Sequence, residues 1–303
     1  SAALANGLTP ATLINDAPVV FTDAALEDVW RPENYSGRVF GPTRLREALT
    51  RSRNLVSIRV LRQIGISPTL AHLERFGLPR GRLPRNLSLA LGAAEVTPLE
   101  LARAYAVFAN GGYAVEPHVI ERLGDNDGET VHEAPKTESA ERRRAISAGN
   151  GGLMRSMLRN VVEEGTARRA RELGRSDIAG KTGTTNDQND AWFSGFNADL
   201  VATVWVGFDE RQSLGRYETG GRAALPIWMD FMGEALAGRP ASEWSRPNGL
   251  VTVKIDPETG ERVSGDAPDA IYETFRTENL PPPPAPSDEG SSGSGGEADT
   301  PLF

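Results

Sequence analysis

From Asn54 onward, apolar residues fall at Leu55, Val56, Ile58, Val60, Leu61 and Ile64, and the run stops at Gly65. That spacing predicts a helix with one buried face, ended by a glycine. A shorter helix is predicted from Thr43, as its cap, to Thr50. Thr97-Pro98-Leu99-Glu100 carries three start signals at once: a capping threonine, a proline at the first helical position and a glutamate that completes a capping box. The helix it opens is predicted to end at Asn110-Gly111-Gly112. Residues 113–147 read as a hairpin and a charged loop, and a further helix is predicted over roughly 150–163, ending near Gly165.

The period then changes. Ile178 to Thr185, Ala191 to Phe196 and Leu200 to Phe208 are short runs rich in β-branched and aromatic residues, divided by polar turns. They predict three strands joined by hairpins. Leu225 to Leu236, with Trp228 and Phe231, reads as an apolar helix, and residues 250–263 as one more small hairpin. A helical body, then antiparallel strands, then a closing helix argues for an α+β fold. At the start, Ser1 to Gly7 reads as the back half of a helix ended by Asn-Gly, followed by an extended apolar patch at Ala17 to Phe21. From Pro281 the composition falls to proline, glycine, serine and acids, a tail with too little apolar surface to order itself. The division expected is therefore 1–245 as the main domain, 246–280 as a small β extension and 281–303 as a disordered tail.

The composition narrows the function. Across 303 residues the net charge is −8, which disfavours a general nucleic-acid binder. There is no cysteine, so thiol chemistry and cysteine-based zinc sites are excluded. The three histidines, His72, His118 and His132, have no metal-ligand spacing. No cofactor or metal is implied. No apolar run approaches the ~20 residues that cross a bilayer, and the first residues lack the basic start of a signal peptide. The chain reads as cut from something longer, with any membrane anchor upstream.

Only three of the 33 basic residues are lysine, so a lysine inside a motif stands out. Lys181-Thr182-Gly183-Thr184-Thr185 begins early in the first predicted strand. A lysine there presents a fixed charge to a carboxylate or a catalytic oxygen. The glycine lets a ligand backbone lie against the strand. The threonine hydroxyls supply donors, and the N–H of Thr184 can form half of an oxyanion hole. A glycine-containing edge strand with surface threonines is the plainer reading. Ser52-Arg53-Asn54 is a second, weaker signal, since Ser52 is equally read as a helix cap. The order S-x-N then K-T-G matches the later two parts of the serine acyl-transferase set S-x-x-K, S-x-N, K-T-G.

The flanks of these motifs sharpen the match. Trp30 to Tyr35, Gly41 to Arg46, Ala48 to Asn54, Leu83 to Gly92, Val96 to Ala102, Val107 to Gly112, Gly180 to Asn186 and Asp190 to Phe193 together resemble class A penicillin-binding proteins. The resemblance is greatest to the type 1a bifunctional enzymes of Gram-negative bacteria and runs from about residue 1 to about residue 240. It implies the serine transpeptidase/β-lactamase-like fold and a peptidoglycan DD-transpeptidase. Such an enzyme attacks stem peptides ending in D-Ala-D-Ala through a serine acyl-enzyme and is trapped by β-lactam antibiotics. It implies a location on the periplasmic side of the inner membrane, a glycosyltransferase domain further toward the N-terminus, and cell-wall synthesis regulators as partners. Carried onto this sequence, Ser52 relays a proton to the leaving amine and Asn54 holds the substrate amide. Lys181 sets the local field. Thr182 and Thr184 bind the substrate carboxylate, with Gly183 and Thr185 completing the substrate-binding strand.

One part of the set is absent. The residues three before Lys136, Lys181 and Lys254 are Glu133, Ile178 and Val251, so the chain has no S-x-x-K. In the resembling family the Ser-Ala-Ala-Leu segment follows the nucleophile by roughly two helical turns. The expectation is that the attacking serine and its lysine lie upstream of Ser1, along with two strands of the sheet. The chain alone is then expected to be inactive, with one sheet edge unpaired. Two alternatives remain open. A DD-carboxypeptidase or β-lactamase-like hydrolase would need an activated deacylating water, for which no glutamate stands out. A non-catalytic scaffold of the same fold would suit the missing motif, but not the intact Ser52, Asn54, Lys181, Thr182 and Gly183.

Overall fold

The computed structural model describes residues 1–20, 30–134, 142–264 and 267–284. The tail from Ala285 onward and Phe21 of the apolar patch lie outside them.

The helical part starts with a short α1 (Ala2–Ala5), closed at Asn6 and Gly7 as expected. Then come the paired strands β1 (Leu13–Asp16) and β2 (Gly41–Arg44), antiparallel with Leu13 opposite Arg44. Three helices follow: α2 (Leu45–Thr50), α3 (Asn54–Ile64) and α4 (Ile66–Glu74). The helix expected from Thr43 starts two residues later. Thr43 is paired with Ile14 in the ladder and its hydroxyl donates to Gly41 O, so it cannot cap. Four-residue strands holding a glycine and a proline give no alternating signal, which is why this pair was not visible in the pattern.

α5 (Pro98–Ala109) has the capping box in full: Thr97 Oγ1 accepts from Glu100 N and the Glu100 carboxylate accepts from Thr97 N. β3 (Arg122–Gly124) and β4 (Thr130–Glu133) form the hairpin expected in the 113–147 region. α6 (Ala148–Glu163) follows, with Ser147 as its cap.

The three expected strands are β5 (Ala179–Thr184), β6 (Asp190–Phe196) and β7 (Val201–Gly207), antiparallel in the order β5-β6-β7. α7 (Leu225–Ala235) closes one face of this sheet. There Phe193 meets the ring of Trp228 edge-on at 4.9 Å, and Trp228, fully buried, donates its indole N–H to Ala202 O at 3.0 Å. On the other face Ala179 and Phe196 share a core cluster with Leu45 and Ala48 of α2, Val56 of α3 and Leu153 and Leu158 of α6. The sheet is thus held between two helical layers, as an α+β chain requires to bury both faces.

The last strands differ from expectation. β8 (Leu250–Ile255) pairs with β9 (Ile271–Arg276), not within 250–263. The local turn does form: Asp256 Oδ1 accepts from the N–H of Glu258 and Thr259, and a single bridge joins Ile255 to Arg262. It goes no further, because β9 brings Phe275, fully buried, against Ile255 and Ala11. Glu273 also reaches Arg46, which donates to its two oxygens at 2.7 and 2.6 Å.

Candidate active site

The two motifs meet. Lys181 Nζ donates to Ser52 Oγ at 2.8 Å across 129 residues of sequence, and to Thr182 O at 3.0 Å. Each partner is placed by local physics. α2 ends in a Schellman turn: Ser52 N donates to Leu49 O, and Arg53 N donates to Ala48 O at 2.8 Å. Ser52 occupies the left-handed position of that turn, at φ 56°, where glycine is the usual residue. Arg53 then caps α3 through its backbone, and Asn54 is the first helical residue. S-x-N is thus a helix–helix corner that trades backbone comfort for a hydroxyl, and Ser52 caps nothing.

We expect Ser52→Gly to be more stable than Ser52→Ala by about 1 kcal/mol, since both lose the hydroxyl and only alanine keeps the left-handed penalty. Urea unfolding of the two variants checks this, and an alanine variant as stable as the glycine one would contradict the turn geometry.

The corner is tied from below. Asn34, buried, donates to both oxygens of the fully buried Asp16 at 2.8 and 3.0 Å, while its own carbonyl accepts from Leu55 N in the first turn of α3. Arg53 stacks its guanidinium 3.3 Å from the centroid of Phe40. Asn54 Nδ2 donates to Glu33 O at 2.9 Å, leaving one amide N–H without a partner among the described residues. This explains why the stretch Trp30 to Tyr35 accompanies the motif: Glu33 and Asn34 fix the corner.

Lys181 stands on β5, at the end of the sheet order, and among the described residues no strand pairs with its other edge. Burial, with no carboxylate paired to it among the described residues, pushes its pKa down from the ordinary lysine value to about 8. The remaining K-T-G residues divide. Thr182 Oγ1 lies 2.6 Å from Thr166 Oγ1. Thr184 is exposed, and its hydroxyl accepts from Gly220 N at 3.0 Å. Gly183 faces Trp192 across the ladder. Thr185 turns away: its hydroxyl accepts from Asp190 N at 2.8 Å and donates to the Asp190 carboxylate, closing the β5–β6 hairpin, while Trp205 Nε1 holds the other carboxylate oxygen.

Two contributors were not visible in the sequence. Thr166 follows α6, and its N–H reaches Thr50 O beside the serine corner while its hydroxyl reaches Thr182. The Thr219-Gly220-Gly221 segment lies against β5 so closely that a Cβ on Gly220 would stand 2.4 Å from Gly183 O. Runs of small residues at 165–166 and 219–221 were the only hints.

A serine, a lysine and an asparagine on the rim of an edge strand, backed by an α+β sheet between helices, define the class of serine transpeptidase/β-lactamase-like proteins. The model of the penicillin-binding protein transpeptidase domain matches residues 1–233. Penicillin-binding protein 1A of Pseudomonas aeruginosa is 44% identical over 96% of this chain and 42% of its own length. The crystal structure of penicillin-binding protein 1A from Haemophilus influenzae superposes with a TM-score of 0.85 at 36% identity, covering 93% of this chain and 47% of that one. An imipenem acyl-enzyme complex of penicillin-binding protein A from M. tuberculosis gives 0.61 at 25% identity, over 78% of this chain and 57% of the other. The chain belongs to the penicillin-binding protein transpeptidase family, and it spans less than half the length of the 1A relatives from Pseudomonas and Haemophilus.

Proposed function

We propose that this chain supplies the proton-relay and substrate-binding half of a peptidoglycan DD-transpeptidase, and that the attacking serine comes from polypeptide outside these 303 residues. The observation that carries the reading is the 2.8 Å hydrogen bond from Lys181 Nζ to Ser52 Oγ. A lysine ammonium only donates, so the Ser52 oxygen accepts from it and the Ser52 proton is turned toward the cleft. There it can pass to a leaving amine and be regained from a neighbouring base. The open edge of β5 suits an extended peptide, which adds to a sheet through main-chain hydrogen bonds. Thr182 and Thr184 are placed on that strand to meet a terminal carboxylate, and the free N–H of Asn54 to meet an amide carbonyl. Thr185 contributes by holding the hairpin rather than by touching the ligand.

On this reading the substrates are stem peptides ending in D-Ala-D-Ala and the inhibitors are β-lactams. The imipenem acyl-enzyme of the mycobacterial relative supports the second point. No helix among the described residues is long and apolar enough to cross a membrane, and we place the anchor of a periplasmic enzyme, with its glycosyltransferase domain and any contacts to synthesis regulators, in the remainder of the parent protein. We take 246–280 as an extension of the catalytic domain, because β9 is tied to it through Arg46 and Glu273.

The test uses the chain joined to an upstream segment carrying S-x-x-K, given peptidoglycan with pentapeptide stems. Release of D-Ala together with cross-linked dimers is the expected result. D-Ala without dimers would make it a carboxypeptidase, and neither product would leave a binding scaffold. The 303-residue chain by itself is expected to show no covalent labelling by a fluorescent penicillin on a denaturing gel.

A further inference from the structure

A cavity of about 600 Å³ opens between α6, the segment 241–247 and β8, and none of its lining residues belongs to the Ser52–Lys181 site. Arg155, in the middle of α6, lines it with only 6% of its surface exposed. Among the described residues its guanidinium makes one hydrogen bond, from Nη1 to Phe108 O at 3.3 Å, and it sits 5.7 Å from the ring centroid of Trp244. Burial alone acts on its pKa, downward, with no acidic group offsetting it. Trp244 also lines the cavity, and its indole N–H is buried without an acceptor among the described residues.

The cavity's acids are otherwise engaged or peripheral. Asp177 accepts two bonds from Arg175, one from Asn197 and one from Ser242 N. Glu163 is paired with Arg159 and accepts from Asn160. Glu243 lies exposed on the rim. A buried cation without a counter-charge is costly, and so is a buried donor without an acceptor. Both belong to residues that line one polar cavity, and one kind of guest would satisfy both. A guanidinium fork presents parallel donors that match a carboxylate or a phosphate.

We propose that this cavity is a binding site for a small oxyanion-bearing molecule, its carboxylate or phosphate held by the Arg155 fork with the Trp244 indole N–H as a second donor. The volume falls in the range of about 300–1,000 Å³ that small-molecule sites occupy, so it holds an organic body as well as the anionic group. The site is separate from the acyl-transfer reading and survives its failure.

The test follows the Trp244 indole signal in ¹⁵N-labelled chain during titration with inorganic phosphate and, separately, with succinate. The expected result is a saturable shift with at least one of them and an unfolding midpoint that rises with its concentration. Saturation by phosphate alone assigns a phosphate ligand, and saturation by succinate a carboxylate. Arg155→Met, which keeps the stem and removes the charge, should abolish both effects while the other four of the five tryptophan signals hold their positions. Trp244→Phe, which keeps the packing and loses the donor, should reduce the phosphate- or succinate-dependent stabilisation severalfold, and it carries the test if the methionine variant does not fold. The proposal is overturned by the absence of a saturable shift with either anion up to about 20 mM, well above a millimolar Kd. It is equally overturned by shifts that persist in Arg155→Met, or by stabilisation that Trp244→Phe leaves unchanged.

Discussion

Lys181→Met, in the chain joined to its upstream segment, should lower the rate of acylation by a penicillin by about 10²–10⁴-fold, the range for losing a positioned proton-transfer or charge-stabilising group. Lys181 Nζ is bonded to Ser52 Oγ, and methionine fills the same space with no donor. Ser52 would then be free to turn its proton away from the cleft, so one substitution removes the positive field and the orientation of the relay together. The pH profile gives an independent check. With a pKa of about 8 in the folded chain, the lysine is mostly charged at neutral pH and loses its positive charge as pH rises through 8. Acylation should fall on that alkaline limb, and the limb should be missing in the variant.

Stability runs the other way. The folded lysine binds its proton less tightly than the unfolded one, whose pKa is near 10.5. Between about pH 8 and 10.5 the unfolded state therefore holds more protons, and the lysine's contribution to stability rises with pH across that window. Below pH 8 the burial penalty is present in full. Lys181→Met should flatten that rise and should not destabilise the fold at pH 7. A variant that loses stability and activity in parallel would mean that Lys181 is a structural residue.

The second large effect is expected at Gly220. A Cβ there would stand 2.2 Å from Trp192 O and 2.4 Å from Gly183 O. Both are backbone atoms of the central sheet, so no side chain can swing aside. Gly220→Ala must push the 219–221 segment off β5 and break the bond from Gly220 N to Thr184 Oγ1. We expect a loss of about 2–3 kcal/mol, the usual scale of forced overpacking, seen as a fall in Tm of roughly 5–10 °C by calorimetry. Acylation in the joined protein should weaken as well, because Thr184 loses its backbone support. An alanine variant with an unchanged Tm would show that the segment does not lie against the sheet as described.

Much of the frame was legible because it is local. The capping box at Thr97 and Glu100, the glycine stop at Gly65 and the three strand runs each state their structure within a few residues. The candidate site was legible in part: Ser52 and Lys181 could be paired from motif order and flanking resemblance, and the fold brings them to hydrogen-bond distance. What could not be read depends on long-range packing. β1 and β2 are four residues each and carry Gly41 and Pro42, so their pairing comes from the corner beneath Asn34. Arg262 ends the expected hairpin because Phe275 of β9 claims the space beside Ile255. Thr185 sits in the motif, yet Asp190 takes its hydroxyl. Thr166 and Gly220 touch the site from distant segments with no motif of their own.

The most direct measurement is to locate the adduct. The chain joined to its upstream S-x-x-K segment is treated with penicillin, digested, and the acylated peptide is identified by mass spectrometry. The adduct is predicted on the S-x-x-K serine, outside residues 1–303, and its yield should drop sharply in Lys181→Met. Acylation of Ser52 or of any other serine within these 303 residues would contradict the account.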